Sequence, residues 1–118
     1  MNVRQFYIEI NGSYEDALKI MMNDFFIAKM ITKFMTNNSC EQMISLYEQK
    51  DYRALFAAAH TLKGVTGNLS LTPLFELACT ITEATRNSDD ANLDQEIAEL
   101  EETYNLIKEK YLRYIAPN

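Results

Sequence analysis

The 118-residue chain is predicted to be all-α: an antiparallel up-and-down four-helix bundle with one or two short N-terminal helices packed across it. Three observations carry this reading. Apolar residues recur at the i, i+3, i+4, i+7 spacing of helices with one buried face. No alternating strand pattern occurs, and Asn11-Gly12, the nearest approach to a hairpin turn, is followed by capping residues. The breaks between apolar segments are short and polar, which favours antiparallel neighbours. The bundle helices fall at about 24–49 with a break near 37–39, 52–69, 73–87 and 92–114, within a single domain spanning 1–118.

Taken in order, residues 2–10 form a short helix with Gly12 as its C-terminal stop. Ser13, with Asp16 after it, resembles a capping box for a helix starting at Tyr14 and ending near Met22. Asn23 or Asp24 caps the next segment, whose residues Phe26, Ile27, Met30, Ile31, Phe34 and Met35 form an apolar face wider than one buried stripe needs. Polar residues 36–39 interrupt it, and Ser39 with Gln42 makes a second capping box for a helix through Met43, Ile44 and Tyr47. Asp51 caps the 52–69 helix, whose expected buried stripe is Leu55, Ala58, Leu62, Val65, Thr66 and Leu69. Thr72 suits an N-cap and Pro73 the first helical position of the next helix, which buries Leu74, Leu77, Ala78 and Ile81. The last helix steps by four and three through Leu93, Ile97, Leu100, Tyr104, Ile107, Tyr111 and Tyr114. Its acidic first half and its basic end (Lys108, Lys110, Arg113) suit the helix macrodipole.

Composition narrows the function. A net charge of −6 without a basic patch argues against nucleic acid. No apolar run reaches the 18 or so residues of a membrane span, and the first residues lack the layout of a signal peptide, so no membrane association and a cytoplasmic location are expected. Cys40 and Cys79 are far apart and not in C-x-x-C spacing, so they are read as buried thiols rather than as a zinc site or a disulfide. A monomer is expected, since one bundle can bury its own stripes.

His60 is the chain's only histidine, and helical geometry places it opposite the apolar stripe. Arg53, Phe56, Ala57, Lys63, Gly64 and Gly67 share its side. A glycine inside a helix costs roughly 1 kcal/mol relative to alanine, so Gly64 and Gly67 call for close helix packing or for the approach of a partner's backbone. One histidine with two distant cysteines offers no metal-ligand spacing, and no nucleophile stands in motif spacing for a hydrolase. One reaction needs only a single exposed imidazole: accepting a phosphoryl group and passing it on. That chemistry is mostly positioning and charge stabilisation, so small neighbours would give a donor room. Lys63, one turn on, would face the phosphoryl oxygens at about 6 Å, worth roughly 0.7 kcal/mol per charge pair in water and more once solvent is excluded.

The segment AAAHTLKGVTGNLSL, residues 57–71, resembles the signature of histidine-containing phosphotransfer (HPt) domains, H-x-[LI]-K-G, matched at His60, Leu62, Lys63 and Gly64. Asp51-Tyr52 at the helix start, the small residues before His60 and the Leu-rich helix from Leu74 to Ile81 are similar too. The resemblance implies a phosphocarrier, not an enzyme, in which His60 shuttles phosphate between receiver-domain aspartates in a two-component phosphorelay. It makes response-regulator receivers and a hybrid sensor kinase the partners, Lys63 the phosphate-side cation and Gly64 the clearance position. The receiver supplies Mg²⁺, so no cofactor and no metal site are expected here. Ser70 departs from the pattern, since the family often has glycine there. By the same analogy Phe26 and Met30 join Phe56, Ala57 and Arg53 as docking candidates, the plain alternative for Phe26 and Met30 being core. Two other readings stay open at this point: a helical adaptor that binds without phosphate chemistry, and a small enzyme holding His60 against a carboxylate in a deep pocket.

Overall fold

The computed structural model describes residues 1–88 and 90–117. Among them it forms seven α-helices and no strand: α1 (Val3–Ile10), α2 (Tyr14–Met21), α3 (Asp24–Thr36), α4 (Ser39–Glu48), α5 (Tyr52–Asn68), α6 (Thr72–Thr85) and α7 (Asp94–Tyr114). The fold is an antiparallel four-helix bundle in which α3 and α4 in succession make one member and α5, α6 and α7 the others. Side-chain pairs give the directions. Tyr47 packs edge-on against Tyr52 with centroids 6.5 Å apart, while Phe34 and Val65 line one groove, so α5 runs back along α4 and then α3. Gly67 faces Phe75 and Phe56 faces Arg86, which sets α6 antiparallel to α5. Tyr47 meets Asp94, Phe34 meets Tyr104 and Tyr111 meets Thr32, so α7 passes α4 first and α3 afterwards. Both α5 and α7 pack on α4 and α6, which leaves α5 and α7 diagonal to each other.

Helices α1 and α2 close the end of the bundle at the α5–α6 turn. The buried Tyr7 hydroxyl donates to the Leu69 carbonyl at 2.6 Å, and the Ser13 amide donates to the Ser70 carbonyl at 3.1 Å. The Asn2 amide donates to the Tyr114 carbonyl at 2.8 Å, tying α1 to the end of α7. Val3, Phe6, Tyr7 and Ile10 enter the common core.

Several local expectations need correction. The left-handed residue that ends α1 is Asn11, with φ 58°, not Gly12. Gly12 answers to space instead, because a Cβ there would lie 2.7 Å from the Ser70 carbonyl oxygen and 2.8 Å from Tyr7. Ser13 does cap α2, but its own amide is taken by Ser70, so the box with Asp16 does not close. Ser39 is the first residue of α4 rather than its cap, since the Asn37 side chain accepts both its amide and its hydroxyl. Leu71, not Thr72, occupies the N-cap of α6, one residue earlier than the Thr-Pro pair suggests. Asn23 and Asp51 cap α3 and α5 as their sequences imply. Helix α6 ends at Thr85 because Arg86 is already extended, and α7 begins at Asp94, somewhat inside the expected span.

The buried stripe of α5 is also turned from the expected one. Leu55, Ala59, Leu62, Thr66 and Leu69 are buried, Ala58 is half-buried and Val65 is exposed. Helix α5 packs most extensively on α6, so its core direction swings toward α6 and carries Val65 out on the α3 side. Buried Thr66, Thr82 and Thr85 satisfy their hydroxyls by donating to carbonyls one turn back, at 2.7, 2.6 and 2.8 Å.

Candidate functional site

The centre of α5 builds the site by spacing alone. Residues four apart on a helix lie one above the other, and a helical side chain leans back over the preceding turn. Phe56, His60 and Gly64 stand in such a row. The His60 ring is exposed and lies nearly parallel to the Phe56 ring, with an interplanar angle of 11° and centroids 6.2 Å apart. On the other side of His60, a Cβ added at Gly64 would meet nothing within 4 Å. The imidazole is thus backed on one side and bare on the other. Among the described residues neither of its ring nitrogens has a hydrogen-bond partner.

Helix α6 supplies the neighbours that sequence reasoning missed. The Arg86 guanidinium lies over the Phe56 ring, 5.2 Å from the centroid, within the range of a cation–π contact. Glu83 holds Arg86 at 3.0 Å, and that hydrogen bond, more than the nearby charge of Lys63, keeps the Glu83 carboxyl below its usual range. Lys63 itself is half-buried on this α6 side of His60. Arg53, Phe56 and Arg86 line an open groove of about 690 Å³ beside the histidine. Phe56 and Arg86 are equally far along the chain from Leu71 at the α5–α6 turn, so counting outward from that turn is the signal that pairs them.

The other candidates divide. Arg53 and Ala57 are exposed on the histidine's side of α5. Met30 is half-buried and, with Lys33, Phe34 and Val65, lines an apolar groove of about 270 Å³ between α3 and α5. Phe26, one turn earlier on α3, is 42% exposed, and its neighbour Phe25, which the sequence reading did not single out, is 83% exposed. Gly67 is the correction. A Cβ there would lie 3.2 Å from the Phe75 ring, so this glycine serves the packing of α6 on α5 rather than clearance for a partner. Ser70 is left-handed, with φ 52°, the conformation that glycine adopts most freely. His60 is exposed, and among the described residues no three His, Cys, Asp or Glu side chains converge as metal ligands. Cys40 is buried and pushed up to about 12 by that burial, and Cys79 is half-buried.

The helical bundle thus holds one histidine outward, with lysine and glycine following it in H-x-L-K-G order and open space over the glycine. The family model described as Hpt domain matches residues 33–110, well over half of the chain, and the chain belongs to the Hpt domain family. Members of this family are phosphocarriers of signalling relays rather than enzymes, and they work with receiver proteins. No significant match was found among curated proteins or solved structures. Among the described residues no helix is long and apolar enough to cross a membrane.

Proposed function

We propose that the chain is a phosphorelay intermediate that takes a phosphoryl group onto His60 from the aspartate of one receiver domain and gives it to the aspartate of another. The observation that carries this reading is the exposed His60 ring, with no hydrogen bond among the described residues and open space over Gly64. In the forward step a ring nitrogen's lone pair forms the N–P bond while the P–O bond to the donor aspartate breaks, and the electron pair leaves with the carboxylate. The second step is the reverse of this chemistry with a different carboxylate as acceptor. Lys63 offers a cation to the phosphoryl oxygens and tunes the rate without being indispensable. Mg²⁺ belongs to the receiver in this scheme, so the chain brings no cofactor of its own.

Receiver docking is assigned to Ala57 and Arg53 beside His60 on α5, extended along the helix by Met30 of α3, which shares a groove with Val65, and by Phe26 one turn beyond it. A response regulator and a hybrid sensor kinase in the cytoplasm are the partners this reading supplies. The test is incubation with phosphorylated receiver domains. Acid-labile, base-stable label is expected on wild-type protein and none on His60→Gln. If wild type takes up no label while receiver binding survives His60→Gln, the chain is an adaptor and the relay reading fails.

A further inference from the structure

We infer that Phe56 is a positioning residue for the phosphoacceptor: it holds the His60 imidazole by one face, and Arg86 and Glu83 of α6 hold Phe56 in turn. This rests on the relay reading for its functional consequence, though not for its geometry. Four groups are linked pair by pair. His60 lies against Phe56 at an 11° interplanar angle, Arg86 lies over Phe56 at 5.2 Å, and Glu83 grips Arg86 at 3.0 Å. The links cross from α5 to α6 and therefore tie the ring's tilt to the packing of two bundle helices rather than to one exposed side chain.

A nucleophilic imidazole must keep its reacting nitrogen unengaged. A histidine side chain has two soft torsions, and an exposed ring samples them freely unless something restrains it. In many sites the restraint is a hydrogen bond to one ring nitrogen, which fixes the ring by engaging that nitrogen. His60 has no such bond among the described residues. A parallel, offset aromatic neighbour restrains the tilt without engaging either ring nitrogen in a hydrogen bond, so the nitrogens stay available to an incoming phosphoryl group. The neighbouring row position, Gly64, contributes no atoms, so the second face stays uncovered. Support on one face and vacancy on the other both follow from i−4 and i+4 spacing. Arg86 then has a reason to lie on an aromatic ring. Its planar guanidinium covers the Phe56 face that would otherwise be free to swing into the groove beside Arg53.

Because His60 is the only histidine, its ring protons give isolated NMR signals that report directly on the stack. Replacing the aromatic ring by Phe56→Leu is expected to shift those signals as the ring current is lost, and Phe56→Tyr to restore them. Arg86→Ala, which leaves α5 untouched, should move them part of the way. In transfer assays at saturating phospho-receiver, Phe56→Leu should lower the maximal rate roughly threefold to tenfold, the factor to which an ordinary aromatic coupling corresponds. The half-saturating receiver concentration should change little, and Phe56→Tyr should recover the rate. Unmoved His60 signals in both Phe56→Leu and Arg86→Ala would overturn the inference. So would a Phe56→Leu effect confined to half-saturation, which would make Phe56 a docking contact. The NMR arm stands apart from the relay reading, so a wild-type protein that accepts no phosphate would refute that reading without erasing the stack.

Discussion

Gly64 and Gly67 look alike in the sequence, both on the histidine's side of a helix, and the structure gives them opposite reasons. Gly64 faces open space, whereas Gly67 faces the Phe75 ring at 3.2 and 3.3 Å. Gly64→Ala should therefore realise the whole helix-propensity gain, about 1 kcal/mol of added stability in chemical denaturation. Gly67→Ala should gain less or lose stability, because Phe75 must shift. Gly64→Glu should fold normally and fail to accept phosphate, since its side chain fills the space beside the imidazole. A destabilised Gly64→Ala would show that the position is packed. The outward placement of His60 was legible because helical periodicity sets it opposite the buried residues of its own helix. The role of Gly67 was not, because its neighbour sits on another helix and only the α5–α6 register identifies it.

Helix existence was legible from periodicity, while helix ends were legible only where the cap is local. Asn23 and Asp51 accept amides three residues ahead; Asp51 was identifiable from sequence, and Asn23 as one of two candidates with Asp24. The start of α7 is different. Its N-cap residue Leu93 has no side-chain acceptor, and the missing acceptor comes from α4. The Tyr47 hydroxyl accepts the Leu93 amide at 2.8 Å and donates to Asp94 at 2.6 Å, the bond to Asp94 holding the phenol above its ordinary range. No local motif could announce a cap drawn from a separate helix. Tyr47→Phe keeps the edge-on ring contact with Tyr52 but orphans the amide, which should cost about 1 kcal/mol. The measurement is equilibrium unfolding with amide exchange across the first turn of α7. Unchanged stability and exchange in Tyr47→Phe would mean that water replaces the hydroxyl without loss.

Across the whole molecule, charge and tethering follow the same bundle geometry. The acidic first half of α7 (Asp94, Glu96, Glu99, Glu101 and Glu102) lies on the member diagonal to α5, while Arg53, Lys63 and Arg86, the last paired with Glu83, lie on the α5–α6 side. That separation favours approach of an acidic partner to the histidine face. That short N-terminal helices pack across the bundle was legible, but the side chains that fasten α1 were not, because they lie at the far end of the chain. Glu9 accepts from the Tyr114 hydroxyl and from Gln5 at 2.8 Å, and pairs with Lys110 at 3.2 Å. The Tyr114 bond foremost, then Gln5, with a smaller part from Lys110, lowers the Glu9 carboxyl from 4.5 to about 2 against partial burial. A carboxyl depressed on folding contributes stability that is fully present above its unfolded value and is lost as pH falls through the folded one. The α1–α7 tether should therefore hold at neutral pH and weaken as acid takes the solution from 4.5 toward about 2. Glu83 is also depressed by its Arg86 partner and slopes the same way, so the informative quantity is the difference between wild type and Glu9→Gln. At neutral pH the variant should melt lower. Through the acid window the two melting curves should converge, because wild type loses a contact that the variant never had. Curves that stay parallel down to about 2 would show that Glu9 is not what fastens α1 to α7.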